Sequence, residues 1–344
     1  MKKIYLFGAL LTASISFGQA PVPFYEPFDY NAPSALQGQN SWTSINSGDD
    51  LSIISGSLTP TATLSGYPSS LGNKLTFGGA GIDASKQFAS QISGTVYYSF
   101  LLKVNDLTST TFAAGSYIAG LVQGASTTYG ATLWLKNATP TGGGTTYYIG
   151  VNPRTTTANT LFFPDNTTPT ALNVGETYLI VVANEIVSST TNDKVRIWVN
   201  PTIGGGTEPS GFSETTNTLT DLTSIDRMLI RQGSASDTPT SLEIDELRIA
   251  NNWNDATTNV VLKKDNFDNI SGLQVYPNPA KQFLNITSAS FAEKQVVLYD
   301  VLGKIALTAK VTNQPLNVAS LPKGVYVAKI TEEGKIATRK VVIE

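Results

Sequence analysis

The sequence predicts an all-β protein: a large antiparallel two-sheet jelly roll followed by a small seven-stranded immunoglobulin-like β-sandwich. Apolar and polar residues alternate with period two through run after run, the pattern of half-buried antiparallel strands. Clusters of Thr, Ser, Gly and Pro separate the runs, and no stretch of helical length carries a 3.6-residue period. Charge then divides the chain. Residues 21–264 hold 12 basic and 19 acidic residues, a net of −7, whereas residues 265–344 hold 9 and 7, a net of +2. A step of that kind marks a domain boundary.

The first twenty residues read as an export signal. Lys2 and Lys3 precede a mostly apolar run from Ile4 to Phe17, and small residues follow at Gly18 and Ala20 ahead of Pro21. The run is shorter than the roughly 18–20 residues a spanning helix needs, so the chain is not expected to span a membrane. Cleavage after Gly18 and after Ala20 both fit.

Residues 21–254 are expected to form the jelly roll. Val96, Tyr98, Phe100, Leu102 and Val104 alternate with Thr95, Tyr97, Ser99, Leu101 and Lys103. Further strands are expected at 117–122, 131–136, 147–151, 178–187, 194–200, 227–231 and 242–249, too many for two small domains. Residues 255–271 are polar and poorly patterned and read as a linker. Beyond it, strands are expected at 273–276, 283–287, 295–301, 305–311, 316–318, 325–330 and 336–343, the last two joined by a hairpin through Glu332-Glu333-Gly334-Lys335.

Composition excludes several chemistries. The chain has no histidine and no cysteine, which removes Ser-His-Asp and Cys-His catalysis, zinc fingers, histidine-held haem and disulfides. A net charge of −3 argues against nucleic acid as a partner. Charged residues are only 14%, but 9% aromatics and 41% hydrophobics supply enough apolar surface for an ordered core.

The terminal segment carries a recognisable pattern. Val275-Tyr276-Pro277-Asn278-Pro279 is followed by Leu284-Asn285-Ile286, Leu298-Tyr299-Asp300-Val301-Leu302-Gly303-Lys304, Leu321-Pro322-Lys323-Gly324-Val325-Tyr326-Val327 and Lys340-Val341-Val342-Ile343-Glu344. In order, spacing and position it resembles the type A C-terminal sorting domain of the type IX secretion system of Bacteroidota. The resemblance implies Sec export, passage across the outer membrane by the type IX machinery, and removal of this domain with the cargo anchored or released. Physically, Pro277 and Pro279 cannot donate to a ladder and form a rigid kink, and Gly303 and Gly324 are expected in tight turns.

The large domain, opening on Phe24-Tyr25-Glu26-Pro27-Phe28-Asp29-Tyr30 and closing on Leu242-Glu243-Ile244-Asp245-Glu246-Leu247-Arg248-Ile249, resembles the concanavalin A-like, laminin-G-like jelly rolls of secreted bacterial proteins. Its middle run, Asn192-Asp193-Lys194-Val195-Arg196-Ile197-Trp198-Val199-Asn200-Pro201, belongs to the same pattern. Relatives include glycan binders and glycan-cleaving enzymes. Laminarinase-like enzymes among them place two glutamates and an aspartate on one strand as Glu-x-Asp-x-Glu, or with one further residue. Here Glu243 and Asp245 fit, but Leu247 and Arg248 stand where the second glutamate would be. Glu246 neighbours Asp245 and points to the opposite face unless a bulge intervenes. The catalytic pattern is broken, and no catalytic residue is assigned.

A structural calcium is a second expectation from the resemblance, with Asp29 and Asp245 as ligands and Glu26 as a further candidate. The alternative is that these carboxylates hydrogen-bond backbone at the strand junction. No other cofactor is expected. Strand parity supplies the candidates for glycan contact. Trp134 lies opposite Leu133 and Leu135, Tyr148 opposite Tyr147 and Ile149, and Trp198 with Arg196 opposite Val195 and Ile197. Rings on polar faces can stack on the C–H faces of sugars. They can equally pair across strands or lie under loops. Trp42 and Trp253 read as core or closing residues. The expected protein is secreted or held at the cell surface and binds a polysaccharide or surface glycan without catalysis, as an adhesion protein would. A polysaccharide hydrolase or lyase and a purely structural surface protein are the alternatives.

Overall fold

The computed structural model describes residues 22–107, 115–125, 128–139, 144–155, 160–233, 239, 241–258, 270, 272–290, 292–312, 314–332 and 335–344. The expected signal at 1–20 and most of the expected linker, 259–269, lie outside the described residues. Contacts divide the chain into two compact units, Met1–Val261 and Leu262–Glu344. Among the described residues no helix is long and apolar enough to cross a membrane.

In the first unit the strands are β1 (Phe24–Glu26), β2 (Ser34–Ala35), β3 (Trp42–Ser44), β4 (Ser52–Ile54), β5 (Lys74–Phe77), β6 (Ala84–Gln91), β7 (Gly94–Asp106), β8 (Ser116–Val122), β9 (Tyr129–Asn137), β10 (Thr146–Asn152), β11 (Leu161–Phe162), β12 (Leu172–Asn173), β13 (Thr177–Ile186), β14 (Lys194–Val199), β15 (Ser213–Thr216), β16 (Ile225–Ile230) and β17 (Ser241–Ala250). They form two antiparallel sheets. One has nine strands in the order β15-β14-β13-β7-β17-β5-β4-β2, with β1 also on β17. The other has eight, in the order β11-β10-β9-β8-β16-β6-β3, with β12 on β10. The pairing of β1 with β17 closes the first strand against the last, with Phe24 opposite Ile249.

Alternation explains the core. Val96, Tyr98, Phe100, Leu102 and Val104 of β7 meet Leu133 and Leu135 of β9 and Tyr147, Ile149 and Val151 of β10 in one buried cluster between the sheets. The nine-stranded sheet also buries its other face. Tyr97, Leu101, Leu179, Val181, Ala183, Trp198 and Ala250 form a second apolar layer there, closed by Leu58, Trp253 and Ala256. Trp253 and Ala256 stand on the short helix α1 (Trp253–Thr257), capped by the Asn252 side chain, which accepts from the Asp255 backbone N–H at 2.9 Å. The expected linker therefore starts later than residue 255. Asp255–Thr257 were polar enough to look unstructured, but one turn with Trp253 and Ala256 inward suffices to seal the layer.

The second unit has seven strands, β18 (Gln274–Tyr276), β19 (Phe283–Thr287), β20 (Lys294–Tyr299), β21 (Ile305–Val311), β22 (Leu316–Asn317), β23 (Gly324–Glu332) and β24 (Lys335–Ile343). They form sheets β18-β19-β22 and β21-β20-β23-β24 around Leu284, Ile286, Val296, Leu298, Tyr326, Ala328, Ile330 and Val341. Gly303 does sit in a tight turn, at φ 80°, with the Asp300 carboxylate accepting from the N–H groups of Leu302 and Lys304. Gly324 does not. It opens β23 opposite Ile343, has no left-handed backbone, and an added Cβ would meet only the Tyr326 ring at 3.8 Å. The strand begins at Gly324 itself, so the residue pairs in the ladder where a turn was expected.

Candidate functional site

The four residues expected to contact glycan fall on two different sheets. Arg196 and Trp198 stand on β14, on the outer face of the nine-stranded sheet, and that face is covered. Trp198 is 1% exposed, 4.9 Å from the Trp253 ring and 5.4 Å from Phe212, and its Nε1–H donates to the Pro209 carbonyl. Arg196 is held by three glutamates, Glu185 at 2.5 Å, Glu208 at 2.9 Å and Glu214 at 3.3 Å. Parity correctly put both side chains off the main core. It could not show that α1 and the segment carrying Glu208 and Pro209 lie over them.

The acidic strand β17 points to the same covered face. A bulge does intervene: the register against β7 shifts between Asp245 and Arg248, and Glu246 adopts φ 58°. Asp245, Glu246 and Arg248 consequently share one side, while Leu242, Ile244, Leu247 and Ile249 face the core. Every carboxylate there is held by protein donors. Asp245 accepts from the N–H groups of Leu58 and Glu246, each at 2.8 Å. Glu246 accepts from Leu71 N–H at 2.7 Å, Tyr25 OH at 2.8 Å and Arg248 Nη2 at 2.8 Å. Glu243 pairs with Lys74 at 3.1 Å. The Arg248 guanidinium lies over Tyr25 at 4.8 Å and donates to Tyr67 OH at 3.1 Å. Burial pushes the Asp245 carboxyl up to about 8, against the pull of the Leu58 N–H, and pushes the Tyr67 phenol up to about 12.

These residues do not fit a calcium ion. N–H groups point at both oxygens of Asp245, Asp29 is exposed, and Glu26 accepts from Phe28 N–H, Tyr30 OH and Trp42 Nε1. Among the described residues no three Asp, Glu, His or Cys side chains gather where they could hold a metal.

The eight-stranded sheet has a different outer face. Trp134 of β9 lies opposite Tyr117 of β8 and Gly150 of β10, and Tyr148 lies opposite Lys136. Tyr117 is 5.6 Å from Trp134 and 6.1 Å from Tyr129, so three rings form one cluster. Trp134 is its floor, 4% exposed, with Nε1–H donating to Thr132 Oγ1 at 2.9 Å. Tyr117, Tyr129, Tyr148 and Phe162 are partly exposed. Gly150 lets β11 cross this close: a Cβ there would meet the Leu161 carbonyl at 2.5 Å and the Phe162 Cα at 2.9 Å. The Arg231 guanidinium stacks 4.2 Å from the Tyr117 ring centre and Lys136 Nζ lies 5.5 Å from that of Phe162. Tyr117, Tyr129 and Arg231 were not singled out in the sequence. The parity that placed Trp134 would have placed Tyr117, whose neighbour Ile118 enters the core.

The fold and the C-terminal unit together define a class: a secreted or cell-surface protein with a two-sheet jelly roll and a type IX sorting domain. Residues 274–344 match the family model of the secretion system C-terminal sorting domain. The β-agarase D of Zobellia galactanivorans is 40% identical over 72 residues, which cover 21% of this chain and 15% of the agarase. Among solved structures, peanut lectin superposes with a TM-score of 0.34 at 12% identity over 66% of this chain and 96% of the lectin. The botulinum neurotoxin serotype G binding domain gives 0.38 at 10% identity over 89% of this chain and 71% of that chain. The architecture stated above rests on the strand pairing itself.

Proposed function

We propose that the protein is a non-catalytic glycan-binding or adhesion protein that, once exported by the type IX machinery, holds a polysaccharide on the outer face of its eight-stranded sheet. The observation that carries this reading is the ring cluster Tyr117–Trp134–Tyr129, partly exposed and flanked by Arg231 and Lys136. Partly exposed tyrosines on a rigid sheet offer flat apolar surface to pyranose C–H faces, with hydroxyl and cationic groups at the margin for sugar oxygens. The carboxylates of β17 are all engaged by protein donors, so the binding reading is preferred to a hydrolytic one.

The test is retention of the full chain on a panel of soluble and insoluble polysaccharides, with Tyr117→Ala beside Trp198→Ala. Tyr117→Ala is expected to weaken retention about tenfold, the loss of one stacked ring worth roughly 1.5 kcal/mol, at an unchanged melting profile. Trp198→Ala is expected to alter stability alone. Retention that ignores Tyr117, or no retention on any polymer, defeats the proposal.

A further inference from the structure

We propose that the polysaccharide held on this face is anionic, carrying uronate carboxylates or sulfate esters; this rests on the glycan reading above and adds the chemical class of its ligand. The argument is one of unbalanced charge. Residues 21–264 contain 19 carboxylates against 12 cations, so an unpaired cation beside partly exposed rings stands out against an acidic background. Among the other described cations of the first unit, Lys74 pairs with Glu243, Lys194 with Glu214, Arg196 with three glutamates, Arg227 with Asp226 and Arg248 with Glu246. Lys86 and Arg154 donate instead to the backbone carbonyls of Asn40 and Thr220, and neither they nor Lys103 forms an ion pair, so what sets Lys136 and Arg231 apart is their place beside partly exposed rings. Lys136 and Arg231 stand on the two sides of the Tyr117–Trp134 pair, and among the described residues neither forms an ion pair.

Their positions are built rather than left loose. Arg231 Nη1 donates to Ser116 Oγ at 3.0 Å and to the Tyr117 carbonyl at 3.1 Å, which fixes the guanidinium carbon 4.2 Å from the Tyr117 ring centre. Its Nη2 and Nε have no protein partner among the described residues, leaving one side of the fork for an incoming carboxylate or sulfate. The carboxylate within its field is Asp83, which is partly buried and already accepts from the Gln232 N–H at 3.0 Å. Lys136 Nζ rests 5.5 Å from the Phe162 ring centre, and its Cβ passes Gly115, where an added Cβ would crowd it at 3.2 Å. Rings between two cations suit a polymer that alternates an apolar sugar face with a negative substituent.

The experiment uses the full chain with alginate as polyuronate, carrageenan as sulfated galactan, and cellulose and laminarin as neutral polymers. Retention is expected on an acidic polymer, at least tenfold above the neutral ones, and is expected to fall about tenfold between roughly 50 mM and 500 mM NaCl as the Debye length shrinks. Lys136→Gln is expected to weaken it about fivefold and Lys136→Arg to preserve it, with melting unchanged in both. Equal retention on neutral polymers, insensitive to salt and to Lys136→Gln but lost in Tyr117→Ala, overturns the charge proposal and leaves the glycan face standing. Absence of retention on every polymer overturns both.

Discussion

Asn278 holds the C-terminal strand by its edge: its Oδ1 accepts from the Val342 N–H at 2.9 Å while its Nδ2 donates to the Lys340 carbonyl at 2.8 Å. A carboxamide has the donor and acceptor of a peptide group, so one side chain stands in for a neighbouring strand. The residues beside it cannot. Pro277 and Pro279 have no N–H, and only at Ala280 does backbone pairing resume, with its N–H on the Val342 carbonyl and its own carbonyl accepting from Glu344. The Pro277-Asn278-Pro279 motif is therefore more than a kink. It covers part of the open edge of β24, the strand that ends the chain, and an uncovered edge is a template for unwanted pairing.

Replacing Asn278 with Ala removes both bonds. The cost expected is about 1–2 kcal/mol of stability in the C-terminal unit. Asn278→Asp keeps the acceptor and should fall between. Hydrogen exchange at the Val342 amide reads this directly, with roughly tenfold lower protection expected in Asn278→Ala. Unchanged protection there would mean that the carboxamide does not hold the strand.

The strand order of neither unit was written in the sequence, but the strands themselves were, because period-two alternation is a local property. Trp134 and Trp198 show where locality ends. Each lies on the side of its strand away from the main core, as parity requires, yet one floors a partly exposed cluster and the other is sealed under Trp253. The seal comes from a residue 55 positions away on a helix of one turn, and nothing near Trp198 announces it. The bulge at Asp245–Glu246 is a second case. Two adjacent carboxylates give no local reason to leave the pleat, and the reason is tertiary: Glu246 reaches Leu71 and Tyr25 only if the extra residue is accommodated.

Trp198→Ala is expected to destabilise the first unit by about 3–5 kcal/mol, the range for emptying a buried indole site. Chemical denaturation measures it. Arg196→Met tests the neighbouring charge cluster separately, since the three glutamates would then face one another without a cation. A melting temperature indifferent to Trp198→Ala would mean that this face is open, and Trp198 would return as a contact candidate.

Arg248 stands where a laminarinase-like strand would carry its second glutamate, so Arg248→Glu restores the spacing Glu243-x-Asp245-x-x-Glu. The expected outcome is loss of folding, not gain of hydrolysis. The guanidinium is 1% exposed and balances the fully buried Glu246 at 2.8 Å, and breaking a buried pair costs about 3–5 kcal/mol before a further carboxylate is forced in. Soluble yield and release of reducing ends from laminarin give the two readouts. Hydrolysis by a folded variant would show that the segment over β17 opens to substrate.

The buried Asp245 makes stability depend on pH in a window where few groups titrate. Its carboxyl has no exposed surface, and burial holds its pKa at about 8 in the folded chain, despite the Leu58 N–H and the nearby Arg248. In the unfolded chain the same group titrates near about 4. The folded state therefore binds more protons between those values, and stability falls as pH rises from about 4 to about 8, levelling off above. Asp83 and Asp193, pushed up by burial to about 6, contribute to the lower half of that range. Above pH 6 the slope belongs to Asp245, and integrating over two pH units gives a loss on the order of 2 kcal/mol. Asp245→Asn should be less stable at every pH, because its amide nitrogen must face a backbone N–H of Leu58 or Glu246, so the informative quantity is the slope and not the height of the curve. Urea midpoints at pH 6, 7 and 8 should decline in the native chain and stay level in Asp245→Asn. A native curve that is flat over that interval would mean that the two N–H donors outweigh burial and that Asp245 is ionised in the fold.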